Sequence, residues 1–309
     1  MPELPEVETI RAGLAPVVVG ATIASVDVFR ASCVRHQAGG VGEFAMHVTG
    51  RTITAAVRRG KFLWLSLGDA DGAVDEPQEA LSVHLGMSGQ FRVAQGLPAA
   101  PHGHCRARLT LSTAVGTTTL DFVDQRTFGY LRVEPLELTA DGMHGGRGSD
   151  DARVPASVSH IARDALDPAV DDAEVLHKMR RGRRGVKQVL LDQTVVSGIG
   201  NIYADEALWL ARIHPERPAD SLSLPEAAAL LAAAREVMTL ALGQGGTSFD
   251  ALYVNVNGES GYFSRDLTAY GRGGQPCDRC GRPLERTRVS GRSSHWCPGC
   301  QFPHAPGRV

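Results

Sequence analysis

Residues 104–113 read HCRARLTLST, and apolar and polar side chains alternate along this stretch with the period of a half-buried β-strand. One face carries Cys105, Ala107, Leu109 and Leu111. Other short apolar segments of the N-terminal half lie at 21–29, 51–57, 61–67, 81–85, 117–123 and 129–133. Many short strands separated by Gly and Pro are typical of a two-layer sandwich. We therefore predict an opening helix followed by a β sandwich.

The composition of the chain changes twice after the sandwich. Residues 136–165 begin with a Gly, Asp, Ser and Pro-rich stretch, and we interpret this segment as a linker. From about residue 171 to 243 the chain carries helical patterns, including a capping box at Ser223 and Glu226 and an N-cap at Asn201. The predicted fold class is α+β. Its predicted domains are a sandwich at 1–135, a helical domain at 166–262 and a small ribbon at 263–309.

The composition of the chain is that of a globular protein and argues against a transmembrane one. The chain has 309 residues, of which 43% are hydrophobic and 21% are charged, as in an ordinary globular protein. No apolar stretch approaches the roughly 20 residues that cross a bilayer, and the N-terminus lacks a secretory pattern. We expect a cytoplasmic monomer that does not associate with membranes.

The charge is unevenly distributed, although the net charge is only -2. Residues 177–188 hold six Lys or Arg and no acid, and the chain from 264 onward holds eight Arg against three acids. Residues 68–80 hold five acids and no base. This uneven distribution of charge favours a basic surface that binds a polyanion. The alternative is a merely solvated surface.

Four of the six cysteines form two C-x2-C pairs separated by sixteen residues, namely Cys277, Cys280, Cys297 and Cys300. This spacing is typical of a tetrahedral site for one Zn2+. Four thiolates leave no open position, so the predicted metal is structural. Redox pairs or disulfides are the alternatives. Cys33 and Cys105 stand apart, and we interpret them as small buried hydrophobes.

A glycine-rich turn opens a helix at 198–206, GIGNIYADE. Backbone N–H groups at a helix start favour a phosphate. The alternative is an ordinary tight turn between helices, which can use the same glycines. Together with the basic run and the Arg-rich tail, this turn is a third potential phosphate-binding element. The combination favours nucleic acid as the partner.

The N-terminus reads MPELPEVE, and a helix start explains Pro5, Glu6 and Glu8 but not Pro2. Removal of the initiator methionine leaves Pro2 with a free secondary amine. An α-amino group has a pKa of roughly 8, so a fraction is unprotonated at neutral pH. Such an amine attacks an electrophilic sugar carbon to form a Schiff base, and Glu3 beside it suits a general acid.

Several blocks of the sequence, taken together, match one known family. They are PELPEVET, RRGKF, HLGMSG, DQRTFG, GIGNIYADE, GGTS, GYF, YGR and the four-cysteine tail. In this order, from residue 2 to about 301, the chain resembles the bacterial formamidopyrimidine-DNA glycosylases. Agreement is poorest at 68–80 and 136–160.

The resemblance implies a β sandwich, a helix, two-turn, helix domain and a zinc ribbon, with DNA bound between them. It implies a bifunctional glycosylase and AP lyase that excises oxidised purines from duplex DNA by β,δ-elimination. Its partners are double-stranded DNA with oxidised bases or abasic sites, and its cofactor is one structural Zn2+.

The resemblance also assigns roles to residues. Pro2 is the nucleophile, Glu3 the general acid, Glu6 a second active-site carboxylate and Lys61 a catalytic lysine at the phosphates. The expected DNA-binding residues are His84, Met87, Arg126, Phe128, Lys187, Asn201 and Arg292. Without the resemblance, His84 and Asn201 read as a strand residue and an N-cap, and Met87 and Phe128 as core residues.

Met87, Arg126 and Phe128 match the residues that fill the hole left by a flipped base. Arg126 suits the acceptor edge of the orphaned base. Thr127 departs from the pattern because many relatives have a second arginine there.

Two other functions compete with this one. An enzyme resembling endonuclease VIII prefers oxidised pyrimidines, and PELPEVE together with the long 245–263 segment, expected to cover a flipped purine, argues against it. A non-catalytic DNA-binding module needs none of Pro2, Glu3 and Lys61, so their presence argues against that function.

Overall fold

The computed structural model describes residues 2–69, 78–98, 100–246 and 266–303. The chain forms two compact units. Unit one comprises Met1–His160 and Gly245–Tyr262, and unit two comprises Ile161–Gln244 and Phe263–Val309. The segment expected to cover a flipped purine lies outside the described residues from 247 onward, as do 70–77 of the acidic stretch. In the part of the chain that is described, no helix is both long and apolar enough to traverse a bilayer.

Unit one is the predicted β sandwich. Its described helices are α1 (Leu4–Val18) and α2 (Gly40–Val48). Its described strands are β1 (Thr22–Val28), β2 (Thr52–Arg59), β3 (Phe62–Gly68), β4 (Glu79–His84), β5 (Gln90–Gln95), β6 (Cys105–Thr113), β7 (Gly116–Val123), β8 (Tyr130–Leu138) and β9 (Arg153–Pro155). They are hydrogen-bonded in the order β5-β7-β6-β1-β2-β3-β4-β8-β9, with antiparallel neighbours.

The predicted face of β6 is confirmed. Ala107, Leu109 and Leu111 are completely buried, and Leu111 pairs with Ile23 of β1. Register shifts interrupt β1, β2 and β6, and such bulges bend strands so that a sheet packs on itself. One core cluster consequently contains residues from α1 and from strands β1 to β8.

Unit one also contains elements that the sequence did not predict. Helix α2 and strand β5 are two of them. Within 136–165, the predicted linker, residues 136–138 complete β8 and pair with β9. Strand β9 is only three residues long and therefore has no strand pattern of its own, so its pairing depends on β8, which supplies the backbone partners.

Unit two contains the predicted helices and ribbon. Its described elements are α3 (Asp172–Met179), α4 (Val186–Leu190), α5 (Asn201–Ala211), α6 (Leu224–Gly243), β10 (Glu285–Val289) and β11 (Arg292–Trp296). The capping box of Ser223 and Glu226 at the start of α6 is confirmed. The N-cap of α5 is Gly200, whereas Asn201 was predicted there. Asn201 is the first helical residue, and its side chain points to Ser293 instead.

A buried carboxylate joins α1 to the β2–β3 hairpin. Glu8 accepts hydrogen bonds from Arg58 Nε at 2.8 Å, from Arg11 Nη2 at 2.8 Å and from Arg147 Nε at 3.0 Å. Arg58 is only 2% exposed, so its guanidinium has little access to water. Burial raises the pKa of Glu8, but the hydrogen bonds and charges of Arg11 and Arg58 outweigh burial and lower the pKa below its ordinary value.

We expect Glu8→Gln to destabilise unit one by on the order of 3–5 kcal/mol, because it leaves the buried Arg58 charge uncompensated. Since the folded-state pKa of Glu8 is depressed, its contribution is present above the unfolded pKa of about 4.3. It is lost as the pH falls through the folded-state pKa. Denaturant titrations of wild type and variant between pH 7 and pH 3 measure both effects.

Glu137→Gln, at an exposed position on β8, is the matched control, and it should change stability by less than about 0.5 kcal/mol. Equal stabilities for the two variants would contradict a structural role for Glu8.

Candidate active site and nucleic-acid interface

The start of α1 places two carboxylates beside Pro2. Glu3 is the N-cap residue, and its backbone N–H donates to Glu6 Oε2 at 2.9 Å. The Glu3 carboxylate in turn accepts from the backbone N–H of Glu6, which completes a capping box. Both carboxylates are 3% exposed, and Pro2 is buried. Helix capping thus fixes the orientation of both acids.

Gly246 lies against Glu6. A Cβ added to Gly246 would come within 3.1 Å of Glu6 Oε1, and its φ of +84° favours glycine. The GGTS block therefore contributes a close backbone approach to the same carboxylate.

Lys61 occupies the turn between β2 and β3. The turn consists of Gly60, with a φ of 56°, and Lys61, which is half-buried. The two arginines before it are buried and anchored: Arg58 binds Glu8, and Arg59 Nε donates to the Gly145 carbonyl at 2.7 Å. The two anchored arginines therefore fix the β2–β3 hairpin, and we call it the braced hairpin that carries Lys61.

The two loops that carry Met87, Arg126 and Phe128 pack against each other in unit one. Arg126 Nη1 lies 3.4 Å from Met87 Sδ, and Met87 and Phe128 are 46% and 53% exposed. Gly86 brings the two loops together, since a Cβ there would lie 2.7 Å from the Gly129 nitrogen. Exposed apolar side chains do not belong to a core, so the core interpretation of Met87 and Phe128 is wrong.

A buried aspartate shapes the loop that carries Arg126 and Phe128. Asp124 is fully buried and accepts from Ser88 Oγ at 2.5 Å, from Gly129 N at 2.7 Å and from Arg126 N at 3.2 Å. Residues 124–129 therefore form a loop closed on its own first residue, and we name it the 124–129 loop.

His84 lies next to that loop. Its Nδ1 accepts the Gly86 N–H at 3.2 Å, and its ring stacks on Tyr130 with centroids 4.9 Å apart. Burial, followed by the positive charges of Arg35 and His36, lowers the pKa of His84. A neutral ring with Nδ1 as acceptor carries its hydrogen on Nε2, which is then a donor.

Lys187 is completely buried in unit two, although the sequence analysis assigned it to DNA. Its Nζ donates to Asp205 Oδ1 at 2.6 Å and to the Ser293 carbonyl at 2.9 Å. Asp205 also accepts from Ser294 Oγ and from the His295 N–H. A fully buried ammonium in this arrangement supports strand β11 and presents no charge at the surface.

Asn201 binds strand β11 next to Arg292, through the carbonyl that Lys187 also binds. Asn201 Nδ2 donates to the Ser293 carbonyl at 2.9 Å. Arg292 is exposed directly after the β10–β11 turn, where Ser290 and Gly291 have φ values of 50° and 77°. Two positive φ values are typical of a type I′ hairpin turn, which projects Arg292 from the tip of the ribbon.

Asp205 and Glu206 are organising residues that the sequence reasoning missed. Glu206 accepts from the backbone N–H groups of Thr268, Ala269 and Tyr270 and from Thr268 Oγ1. Glu206 therefore anchors the chain where it leads into the ribbon. The sequence does contain a feature that points to these two residues, namely two adjacent acids inside an otherwise apolar helical segment. Both acids occupy buried positions of α5.

The four tail cysteines are grouped for one metal ion. Their Sγ atoms all lie within 4.8 Å of one another, and Cys280 and Cys297 Sγ are 3.4 Å apart. A tetrahedral zinc with Zn–S bonds near 2.3 Å separates its sulfurs by about 3.8 Å, so the cluster fits this ion. None of the four is in a disulfide, and Cys33 and Cys105 are free and buried, as predicted.

Three family patterns match the chain in order. The formamidopyrimidine-DNA glycosylase N-terminal domain matches residues 1–131, and the formamidopyrimidine-DNA glycosylase H2TH domain matches residues 161–251. The zinc finger found in FPG and IleRS matches residues 274–301.

Whole-length relatives agree with these matches. The chain is 52% identical to the formamidopyrimidine-DNA glycosylase of Leifsonia xyli, over 97% of this chain and 99% of the relative. It is 54% identical to that of a Nocardioides species, over 97% and 94%.

Solved structures give the same result. The Lactococcus lactis Fpg bound to DNA containing an abasic site superimposes with a TM-score of 0.77 at 30% identity, over 97% of this chain and 99% of that one. The same enzyme bound to DNA containing N7-benzyl-Fapy-dG gives a TM-score of 0.78 at 30% identity, with the same coverage. These likenesses extend over nearly the whole of each chain, and the chain therefore belongs to the formamidopyrimidine-DNA glycosylase family.

Proposed function

We propose that this protein is a bifunctional DNA glycosylase and AP lyase that excises oxidised purines, such as 8-oxoguanine and formamidopyrimidines, from duplex DNA. The observation that carries this proposal is the start of α1, where Pro2 lies beside two buried carboxylates whose orientations are fixed by a capping box. The family membership supplies the substrate class.

The first chemical step uses the free amine of Pro2. Its nitrogen lone pair attacks C1′ of the damaged nucleotide, and the glycosidic bond breaks, with its electron pair leaving on the base. The departing base takes up the proton that the Pro2 nitrogen loses after the attack. Glu3 gives a proton to the sugar ring oxygen as the ring opens, and the nitrogen lone pair forms the C=N bond, which leaves a positively charged iminium Schiff base between Pro2 and C1′. Support for Glu3 in this role comes from its position next to Pro2.

The lyase steps follow from the Schiff base. The iminium acidifies the 2′ position, and loss of that proton expels the 3′ phosphate by β-elimination. A second elimination, δ, expels the 5′ phosphate, and hydrolysis of the imine frees Pro2. The product is a one-nucleotide gap with phosphates at both ends.

Phosphate binding falls to groups from both units. In unit one we assign Lys61 on its braced hairpin and the Nε2–H of His84 to the phosphates of the damaged strand. In unit two we assign Asn201 and the exposed Arg292 to the same task. Lys187 is better assigned to supporting β11, since it is buried against Asp205 and Ser293.

We assign Met87, Arg126 and Phe128 to the space left by the flipped nucleotide. Two of them offer apolar surface for the neighbouring bases, and the Arg126 guanidinium donates to the orphaned base. Their exposure and the contact between Arg126 and Met87 support this assignment. Removal of 8-oxoguanine opposite cytosine restores the original pair, so a reader of cytosine suits a repair enzyme.

One Zn2+ held by Cys277, Cys280, Cys297 and Cys300 stabilises the ribbon, with no open position for chemistry. One Lactococcus lactis complex contains DNA with an oxidised pyrimidine, so a lesion panel should include both classes of base. The relatives are bacterial, and we place the enzyme in the bacterial cytoplasm, at the nucleoid.

The Schiff base predicts a covalent adduct when borohydride is added to the protein and a duplex containing 8-oxoguanine. The adduct should map to Pro2 by peptide sequencing, and Pro2→Gly should slow excision severely because the secondary amine is lost. Glu3→Gln should lower base excision by roughly 10²–10⁴-fold, the usual contribution of a general acid.

A protein that retains an uncleaved N-terminal extension is the control, because it keeps the Pro2 ring but lacks a free amine. It should give no adduct. An adduct that maps to a lysine would refute the assignment of Pro2.

Arg126→Ala should reduce excision opposite cytosine far more than opposite adenine. The expected loss of discrimination is on the order of 1–3 kcal/mol, that of one good base contact. Single-turnover rates on duplexes that differ only in the opposite base measure it. Phe128→Ala removes only a wedge, so it should lower both rates about equally. Full retention of the cytosine preference in Arg126→Ala would move the reading role to another residue.

Cys297→Ser should lose zinc and most DNA affinity, because the ribbon has too small a core to hold Arg292 without the metal. Metal analysis and DNA titrations test this, with Cys33→Ala as the control that keeps its zinc. Normal DNA binding by zinc-free Cys297→Ser would contradict the role of the ribbon.

A further inference from the structure

Arg35 binds backbone carbonyls of the 124–129 loop. Arg35 Nη2 donates to the Phe128 carbonyl at 2.8 Å, and Nη1 donates to the Gly129 carbonyl at 2.9 Å. Nη1 also donates to the Ser32 carbonyl at 2.9 Å, which ties the guanidinium to its own turn. Over ninety residues separate Arg35 from the two loop carbonyls.

The loop needs such support because its backbone is strained. Thr127 has a φ of 57°, in the left-handed region that β-branched residues rarely adopt. Such a conformation persists only where the surrounding structure determines it. Asp124 binds the N–H groups of Arg126 and Gly129, and Arg35 binds the carbonyls of Phe128 and Gly129. Donors and acceptors of the same short loop are thus fixed by two different side chains.

Arg35 also contacts the residues that support His84. Its guanidinium carbon lies 5.0 Å from the centroid of the Tyr130 ring, a cation–π distance. Tyr130 stacks in parallel on His84, and His36 meets Tyr130 edge-on at 4.5 Å. One guanidinium therefore connects the 124–129 loop to the strand end that carries His84.

We infer that Arg35 is a positioning residue for opposite-base selectivity. By fixing the carbonyls of Phe128 and Gly129, it holds Arg126 and Phe128 in the geometry that reads the orphaned base. This inference rests on the proposed function, because the reading role belongs to Arg126. The fork of the guanidinium matters as well as its charge, since two adjacent carbonyls need two diverging N–H groups.

The test compares Arg35→Met and Arg35→Lys in the full-length, zinc-loaded protein. Single-turnover excision of 8-oxoguanine is measured opposite cytosine and opposite adenine, and cleavage of an abasic site is measured in parallel. We expect Arg35→Met to lower the cytosine-to-adenine rate ratio by roughly tenfold, the loss of one charge-assisted hydrogen bond. Abasic-site cleavage should change by less than about twofold, because its chemistry is left intact. Arg35→Lys should also lose selectivity, although it keeps the charge.

Arg30→Met is the matched control, since Arg30 is an exposed arginine on the same turn. It should keep the wild-type ratio. The inference is overturned if Arg35→Met keeps that ratio. It is also overturned if Arg35→Met loses activity equally opposite both bases, with a weaker salt dependence, while Arg35→Lys behaves as wild type. That result would identify Arg35 as a phosphate contact.

Hydrogen exchange of the DNA-free protein separates this inference from the proposed function. Amides of peptides spanning 124–131 should exchange faster in Arg35→Met and Arg35→Lys than in wild type and Arg30→Met. Unchanged exchange in both Arg35 variants would overturn the positioning role, whatever the enzyme excises. Failure of the wild-type protein to excise any lesion, with faster exchange in the variants, would reject the proposed function and leave Arg35 as the support of the loop.

Discussion

A carboxylate taken out of water must be matched by donors from the protein, and this constraint organises both units. Glu8 is matched by three arginines that join α1 to the β2–β3 hairpin. Asp124 is matched by the N–H groups of the loop that follows it. In unit two, Asp205 is matched by Lys187 and by strand β11, and Glu206 is matched by three successive backbone N–H groups. Each of these buried acids binds an element that carries, or leads to, a residue that we assign to catalysis or to DNA binding.

Within unit one, the side chains that we assign to catalysis are held in one orientation, whereas those that we assign to the base stack are exposed. Glu3 and Glu6 are fixed by helix capping, and Lys61 lies on a hairpin whose arginines are buried. Met87 and Phe128, by contrast, are exposed on loops. Chemistry benefits from groups held in one geometry, because misplacement of a reacting group lowers the rate steeply. We propose that Met87 and Phe128 enter the base stack, which requires them to be exposed before DNA binds. Asp124 and Arg35 bind the loop that carries Phe128.

The ribbon of unit two combines two kinds of support. Its core cluster is small and includes Trp209, Cys277 and Cys297. The cysteine cluster fixes one end of the ribbon, and the buried pair of Lys187 and Asp205 fixes strand β11. Taking both charges of this pair out of water costs free energy, so each charge needs its partner and its hydrogen bonds to remain buried. The pair therefore explains why an unmistakably basic residue in a basic run is absent from the surface.

The sequence by itself determined the features that depend on local periodicity and spacing. These are the buried face of β6, the helix starts near Pro5 and at Ser223, and the grouping of the four cysteines. Only the tertiary structure decided that Lys187 is buried, that Met87 and Phe128 are exposed, and that part of 136–165 joins the sheet. The physical reason is that burial and pairing depend on partners far along the chain. Lys187 meets Ser293 across more than one hundred residues, and no local pattern encodes such a partner.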